Sequence, residues 1–564
     1  MTSTGVSNLT RPILALLLAA SGLLAAGCAV RQVVSWRNYG DLEDEGGIWT
    51  AIALDARDGI LYRPIVSDIG YGGTRYGPLH VVLHAGLLKA GMAPVDSGFL
   101  IGVVTAAAAL AGIYQLMRRL KVPASFAIAL TSFFLAAFSV RSGILSIKAD
   151  LLAAALDVWG LIAALPLAER MRDTCGKEFP PPLVLRGRAG VGAEGLPSTV
   201  ECRSAHETPT LTLPRSTRGG EEEGLQNVSR TLAERQQKAE SRRWPAILLA
   251  GTCFALAAAS KVTSLFGIAT VVTWLLLRGE MKIAARLVGV FCIGVIAAAL
   301  AVQWASGGRA MGVFAASAAA GGGLRRLAQA PLYFFPAIFS RDRVVGGFWI
   351  AALVMLLTRR NWRSLPTILL GYSTLGTMAI FGSRGTDMNH LMDLHLASLV
   401  VLAVACQSGG QALHAGWIAR FVLLVIAAIS LHAAHSCLND VDYIRQHHPR
   451  ATMNACLADA AASPVRGPLF AENPMLPILA GERPYVLDCF LFSVIDLKHP
   501  SIGDKLRDDL AHQRFRAVIV TGELTHNTMP TPTDPWPQFL ILMRTRYELK
   551  ATEGRNLVYL PKMQ

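Results

Sequence analysis

The sequence predicts a mainly α-helical, polytopic membrane protein of about 11 transmembrane helices, with a small α/β C-terminal domain on the outer face. Three observations predict this class. Hydrophobic residues make up 52% of the 564 residues, and charged residues only 16%, whereas soluble proteins carry about 25%. Apolar stretches long enough to span a bilayer recur along the chain, and clusters of basic residues follow several of them.

A bilayer span takes about 20 mostly apolar residues. The stretch 245–277 is long enough for two short spans, and Ser260-Lys261 places a turn between them. Residues 78–91 are apolar but too short, so we expect a re-entrant or interfacial helix on the outer face. The other spans are predicted at 12–30, 97–116, 123–140, 150–168, 285–303, 344–358, 364–381, 391–406 and 417–436.

Basic clusters at 118–121, 278–286 and 359–363 orient these spans. Positively charged loops stay in the cytoplasm, and all three clusters fall inside when the N-terminus starts inside. The net charge of +14 therefore needs no nucleic-acid partner. We expect an integral protein of the plasma (inner) membrane, with its functional loops and its C-terminal domain on the extracytoplasmic side.

The N-terminal segment has a second interpretation. Residues 24–28 end in Cys28 and match a lipoprotein cleavage box after a short apolar run. We favour a first transmembrane helix, because many spans follow and Arg11 is the one basic residue ahead of the apolar run.

Two segments differ from the predicted membrane parts, which are 1–168 and 244–436. Residues 169–243 are rich in charged residues, Pro, Gly, Ser and Thr and lack an apolar period, which predicts a disordered cytoplasmic linker. Residues 437–564 are neutral overall and mix helical patterns with short β-like runs, which predicts the extracytoplasmic α/β domain. These runs lie at 469–471, 484–487 and 516–520.

Three cysteines fall in the C-terminal segment, Cys437, Cys456 and Cys489. In an oxidising compartment they allow one disulfide and leave one thiol over, and the alternative is three unpaired thiols.

The first outer loop, 31–77, carries the most informative carboxylates. Asp41, Glu43, Asp44 and Glu45 lie within five residues. Like charges this close repel one another, which suits one of them to accept a proton as a general base. The alternative is an acidic cap on a helix that begins near Gly46, where the helix dipole favours carboxylates.

Further polar residues fall on the same outer side of the predicted topology. Any one of the basic residues has an ordinary explanation, a side chain that snorkels to the interface. Together with the acidic loop they fit an anionic substrate in the membrane, such as a lipid phosphate. They are Arg75, Tyr76, Lys148, Asp150, Lys261, Arg384, Asn389 and His390.

These stretches resemble the GT-C class of integral membrane glycosyltransferases, which includes protein mannosyltransferases and the bacterial aminoarabinose lipid A transferase. The resemblance covers the two membrane parts, and its motifs are specific for the class and not for any substrate. One departure is Gly77, where the family usually has a first proline. The matching stretches are Asp44-Glu45-Gly46, Gly59-Ile-Leu-Tyr62, Arg75-Tyr76-Gly-Pro78-Leu79, Lys148-Ala-Asp150-Leu-Leu, Ser260-Lys261-Val-Thr and Gly385-Thr-Asp-Met-Asn389-His390-Leu-Met-Asp393.

The resemblance implies a hexosyl- or pentosyltransferase that uses a polyprenyl-phosphate sugar. The acceptor is an envelope lipid, glycan or protein at the outer membrane face. A carboxylate of the first loop deprotonates the acceptor hydroxyl, and the lipid phosphate leaves. No cofactor is expected, although the class has metal-dependent members and carboxylates 41–45 could bind a divalent ion. The alternatives are a lipid or glycan transporter (a flippase) and a non-catalytic assembly subunit.

Carried over residue by residue, the resemblance implies Asp44 as the base, then Glu45, with Asp41 and Glu43 as alternatives. Asp150 matches the family's second acidic position. The remaining residues are expected to bind the donor phosphate or another part of the substrates: Arg75, Tyr76, Lys148, Lys261, Arg384, Asn389 and His390.

Overall fold

The computed structural model describes residues 4–74, 76–169, 243–319, 324–359, 362–383, 386, 388–407, 417–521 and 536–563. Residues 1–165 and 247–564 form one compact unit, and residues 166–246 form a second. The predicted linker belongs to the second unit and lies almost entirely outside the described residues. Apart from residues 166–169 and 243–246, the structure described below belongs to the first unit.

The N-terminal part is helical apart from one short strand pair. The predicted span 123–140 is not one helix, because Ala137 takes an extended conformation between α5 and α6. Pro78 begins α3 at its first turn, where its missing N–H leaves no bond unmade. The elements are α1 (Thr4–Asn38), α2 (Asp44–Arg57), β1 (Val66–Ser67), β2 (Gly70–Tyr71), α3 (Pro78–Lys89), α4 (Pro94–Arg119), α5 (Ala124–Ser132), α6 (Phe138–Gly143) and α7 (Asp150–Ala164).

The second membrane part confirms the predicted break at Ser260-Lys261, because one helix ends at Ser260 and the next begins at Phe266. Residues 304–343, for which no element was predicted, contain two further helices and a π-helical turn, Ala337–Arg341. The helices are α8 (Pro166–Glu169, in the second unit), α9 (Trp244–Ser260), α10 (Phe266–Leu276), α11 (Met281–Ala305), α12 (Ala310–Ala319), α13 (Leu324–Pro336), α14 (Arg343–Arg359), α15 (Leu365–Phe381), α16 (Leu391–Gln407) and α17 (Trp417–His447).

Five helical segments among the described residues are long and apolar enough to cross a membrane. Five shorter apolar helices accompany them, including α9 and α10 on either side of the break. The chain is therefore an integral membrane protein. The count of 11 spans and the membrane in which they lie stay predictions.

The first and last long helices, α1 and α17, pack against each other along their lengths. Residues 24–28 lie in the middle of α1, as the membrane-helix interpretation predicts. The buried thiols of Cys28 and Cys437 lie 3.4 Å apart at this contact. One turn further on, the Arg31 guanidinium donates hydrogen bonds to both Asp41 and Asp440.

The C-terminal segment contains a four-stranded mixed sheet of order β3-β4-β6-β5, in which β3 and β4 are parallel and the other pairs antiparallel. Aromatic residues such as Phe470, Phe492 and Phe515 form its buried core. Its elements are α18 (Pro449–Ala461), β3 (Leu469–Ala471), α19 (Met475–Leu479), α20 (Cys489–Lys498), α21 (Asp504–Ala511), β4 (Ala517–Thr521), α22 (Trp536–Arg546), β5 (Tyr547–Glu553) and β6 (Asn556–Pro561).

Two of the predicted β-like runs form strands β3 and β4. The third, 484–487, joins no sheet and makes a single parallel bridge from Val486 to Tyr71 of the first loop. The β5–β6 hairpin was not predicted. Cys437, Cys456 and Cys489 are all free thiols.

A buried ion pair fastens the first loop to the C-terminal segment. Arg63 donates two hydrogen bonds of 2.9 Å to Asp55, at the end of α2, and one of 2.7 Å to the carbonyl oxygen of Pro484. The side chains of Arg63 and Asp55 are 0% and 1% exposed. Removing one partner of a buried pair is strongly destabilising, because the other charge stays buried and uncompensated.

We predict that Arg63→Ala lowers the free energy of unfolding by about 3–5 kcal/mol. Arg57→Ala is the matched control, because Arg57 forms an exposed pair with Asp58 on the same loop, and such pairs contribute about 0.2–1 kcal/mol. Unfolding of the detergent-purified protein by increasing SDS measures both variants. If both variants lose the same free energy of unfolding, Arg63 does not anchor the first loop to the C-terminal segment.

Candidate functional site

A cavity of about 290 Å³ brings together residues from the first loop, the start of α7, the 260–263 turn and the segment before α16. Six of the predicted site residues line it. They are Glu45, Tyr76, Asp150, Lys261, Asn389 and His390. Trp49 forms part of its wall, and its ring lies 4.5 Å from that of Tyr76.

An ion pair lies at the base of this cavity. The Lys261 ammonium is 2.5 Å from Asp150 Oδ1, and Asn389 Nδ2 donates a hydrogen bond of 3.0 Å to Asp150 Oδ2. Asp150 is the first residue of α7, so its carboxylate also faces the positive end of the helix dipole. Three segments that are distant in the sequence therefore meet at one carboxylate.

A second group of ion pairs adjoins the cavity through Glu45. Lys148 Nζ is 2.8 Å from Glu45 Oε2 and 3.2 Å from Glu43 Oε2, and the Lys148 side chain is only 6% exposed. The residue before it, Ile147, has a φ of +55°, which is costly for a β-branched residue. Such strained residues persist where the surrounding structure holds them, and here the strained turn presents Lys148 and Asp150 to the site.

The close approach of two loops explains why residue 77 is glycine. A Cβ atom at Gly77 would lie 2.2 Å from the carbonyl oxygen of Ala259 and 2.6 Å from that of Ser260. A proline carries that Cβ atom, so the residue usual in the GT-C class does not fit here. Gly77 thus lets the 76–77 segment lie directly on the turn that carries Lys261.

A second cavity, of about 210 Å³, adjoins the first and shares Glu45 and Tyr76 with it. Asp44 lines it, together with residues of the C-terminal segment. Asp488 caps α20 by accepting a hydrogen bond of 2.8 Å from Leu491 N. The first turn of that helix lines the cavity with Cys489 and Phe490. The C-terminal residues that line it are Glu472, Asp488, Cys489 and Phe490.

The Cys489 thiol is an unsuitable nucleophile despite its position in the second cavity. Burial, followed by the nearby carboxylates of Glu472, Asp488 and Asp44, raises the pKa of the Cys489 thiol well above its usual range. The thiol is therefore protonated at physiological pH, and a thiol reacts as the thiolate.

A third cavity, of about 600 Å³, continues from the first through the shared residues Ser383 and Thr386. Arg326 and Arg341 supply its positive charge. Exposed apolar side chains of α13, such as Leu332 and Tyr333, form one side of it. Phe490 reaches it from the C-terminal segment.

Asp41 takes no part in these cavities. The Arg31 guanidinium binds its carboxylate in bidentate fashion at 2.7 and 2.8 Å, and Ser35 Oγ donates a third hydrogen bond of 2.6 Å. Asp41 is buried with these partners. Its role in the structure is to join the end of α1 to the first loop. The predicted Arg75 and Arg384 lie outside the described residues.

Trp49, the two arginines of the third cavity and the C-terminal residues of the second were not predicted from the sequence. The Asp488-Cys489 helix cap is a recognisable local signal, but nothing in the sequence indicates which cavity that helix faces. Arg326 and Arg341 lie in 304–343, where no element was predicted.

The arrangement combines two carboxylates, Glu45 and Asp150, with the Lys261 ammonium in one cavity, and Lys148 pairs with Glu45 beside it. Such a site can accept a proton from one reactant while it stabilises negative charge on another. Among the described residues, no group of three or more His, Cys, Asp or Glu side chains is arranged to hold a metal ion.

The fold is similar to that of two crystal structures of ArnT from Cupriavidus metallidurans. The structure with bound undecaprenyl phosphate is 13% identical to this chain, covers 96% of it and 98% of ArnT, and has a TM-score of 0.52. The apo structure has the same identity and coverage and a TM-score of 0.53. No protein-family model matches the chain, and neither does any curated protein sequence. At this identity the likeness shows the fold alone, and it is the fold that the GT-C resemblance predicted.

We predict that Gly77→Ala lowers the midpoint of thermal unfolding, because its methyl group would overlap two backbone carbonyl oxygens, and overpacking costs about 1–3 kcal/mol. Gly86→Ala is the matched control. Gly86 lies inside α3 with open space around it, and alanine there gains about 0.8–1 kcal/mol of helix propensity. The two substitutions should therefore shift the midpoint in opposite directions. A Gly77→Ala midpoint at or above that of the wild type would refute the close-approach explanation.

Proposed function

We propose that this protein is a membrane glycosyltransferase that moves a hexose or pentose from a polyprenyl-phosphate donor to an envelope lipid, glycan or protein acceptor. One observation carries the proposal. The first cavity joins Glu45 to the Asp150–Lys261 ion pair, adjoins the cavity that Asp44 lines, and continues into a large, partly apolar cavity with two arginines. The ArnT fold supports it, and so does the undecaprenyl phosphate bound in one ArnT structure.

In this proposal Asp44 is the general base. It lines the second cavity next to Glu45. An acceptor bound there can point the proton of its hydroxyl at the Asp44 carboxylate and the oxygen of that hydroxyl toward the first cavity. Glu45 pairs with the Lys148 ammonium at 2.8 Å, so one of its carboxylate oxygens is already occupied. Asp41 is excluded from the role because Arg31 and Ser35 occupy its carboxylate.

At the anomeric carbon the reaction forms one bond and breaks one, while a proton passes from the acceptor hydroxyl to Asp44. As Asp44 takes the proton, the acceptor oxygen attacks the anomeric carbon of the sugar. The bond from that carbon to the phosphate oxygen breaks, and the electron pair leaves with the lipid phosphate. Lys261 and Lys148 stabilise the charge that develops on this phosphate, since cations placed at a developing charge lower the barrier most. Side-chain cations, and no metal cofactor, have this task in our proposal.

The third cavity is proposed to receive the lipid part of the donor. Arg326 and Arg341 offer the planar forks that bind phosphate oxygens, and the exposed apolar face of α13 suits a polyprenyl chain. Residues Ser383 and Thr386 mark the passage from this cavity to the catalytic one. We propose the extracytoplasmic face of the plasma (inner) membrane as the location of the site, following the charge pattern of the loops.

We predict that Asp44→Asn lowers kcat for sugar transfer about 10²–10⁴-fold, because general base catalysis contributes a factor of that size. Asp58→Asn is the matched control at the other end of the same helix, where the carboxylate is exposed and pairs with Arg57 and Arg483. The assay follows a radiolabelled sugar from its polyprenyl phosphate to an envelope extract. If Asp44→Asn keeps full activity and Glu45→Gln loses most of its activity, the base is Glu45 and not Asp44.

We predict that Arg326→Gln and Arg341→Gln each raise KM for the lipid-phosphate donor about 10- to 150-fold, because a hydrogen bond to a charged group contributes about 1.5–3 kcal/mol. KM for the acceptor should stay unchanged. Arg325→Gln is the control, since Arg325 is exposed and does not line the cavity. An equal rise in KM for all three variants would show a general surface-charge effect and contradict a specific donor site.

A further inference from the structure

A buried carboxylate lies below the catalytic cavity and lines none of the cavities described above. Asp157 follows Asp150 on α7 by seven residues, which is about two helical turns, so both carboxylates lie on the same side of the helix. Asp157 is only 4% exposed. Its position in the fold needs an explanation, because a carboxylate inside a membrane protein is expensive.

Asp157 holds the turn that carries Lys261. Ser264 Oγ donates a hydrogen bond of 2.7 Å to Asp157 Oδ2, and Ser264 is itself 1% exposed. The backbone N–H of Ser264 donates to the carbonyl oxygen of Lys261 at 2.8 Å, which closes the turn. Helix α7 therefore contacts this turn at two points. Asp150 forms an ion pair with the Lys261 ammonium, and Asp157 accepts a hydrogen bond from Ser264.

The packing around Asp157 shows how close the two elements lie. A Cβ atom at Gly267, in the first turn of α10, would be 2.9 Å from Asp157 Oδ1. That oxygen has no hydrogen-bond partner among the described residues. An unsatisfied buried oxygen costs free energy. An apolar side chain would fill this space without that cost. The unsatisfied oxygen is therefore better explained if the carboxyl group of Asp157 is needed to orient a neighbouring residue.

We propose that Asp157 is a positioning residue, which acts through Ser264 to hold the Lys261 ammonium against Asp150 in the catalytic cavity. It touches no substrate. The inference rests on the proposed transferase function for its kinetic consequences, but its structural content does not depend on that activity. A shift of about 1 Å at a catalytic group can lower the rate about 10²-fold.

The first test measures the position of Lys261 without any assay of transfer. A brief reaction of the detergent-purified protein with an amine-acylating reagent, followed by peptide mass spectrometry, reports how exposed each lysine is. Asp157→Ala and Ser264→Ala should increase acylation of Lys261 several-fold and leave Lys505 unchanged. Asp157→Asn keeps an oxygen that accepts from Ser264 and should behave as the wild type. Unchanged acylation of Lys261 in Ser264→Ala and Asp157→Ala would overturn the inference.

The second test measures coupling between the two residues. Asp157→Ala should lower kcat about 10²-fold, and Asp157→Asn should restore it to near the wild-type value. In a Lys261→Met background Asp157→Ala should cause no further loss, because its effect passes through Lys261. Independent losses that multiply would indicate a merely structural role and overturn the inference. An unmodified protein that transfers no sugar at all would refute the proposed function, while the acylation test would still decide the role of Asp157.

Discussion

The buried ion pair between Asp150 and Lys261 holds the candidate site together. It joins the start of α7 to the turn between α9 and α10, and Asn389 adds the segment before α16. Both charges are mostly buried, so the loss of either partner would leave the other uncompensated. Two neighbouring segments allow Asp150 and Lys261 to meet. Gly77 lets the first loop lie on the Lys261 turn, and the strained Ile147 turn presents Asp150 from below.

Both ammonium groups of the site are paired with carboxylates at rest, and this has a chemical consequence. Lys148 faces Glu43 and Glu45, while Lys261 faces Asp150. A phosphate that gains charge as it leaves can draw on these ammonium groups without bringing a new cation into the site. The arginines of the third cavity lie farther along the proposed path of the lipid. In the proposed topology and function, the net charge of +14 divides into loop cations that orient the helices and a smaller set of cations at the site.

Much of the site was predictable because its residues lie at helix ends that the hydropathy pattern marks. The break at Ser260-Lys261 and the start of α7 at Asp150 are of this kind. Asp41 was not predictable, since its partner Arg31 belongs to a helix and only tertiary packing brings the two together. The same holds for Glu472 and Asp488, which reach the second cavity from the C-terminal segment. The short helices α12 and α13 lack a span-length apolar run, so hydropathy alone does not reveal them.

Sugar transfer to the cell envelope is the proposed activity of this chain. Mass spectrometry of envelope lipids, glycans and proteins can compare cells with the protein, without it and with Asp44→Asn. A species heavier by one sugar residue is expected only with the intact protein. An envelope of identical composition in all three strains, together with movement of a labelled lipid across vesicles by the purified protein, would refute the transferase and identify a transporter.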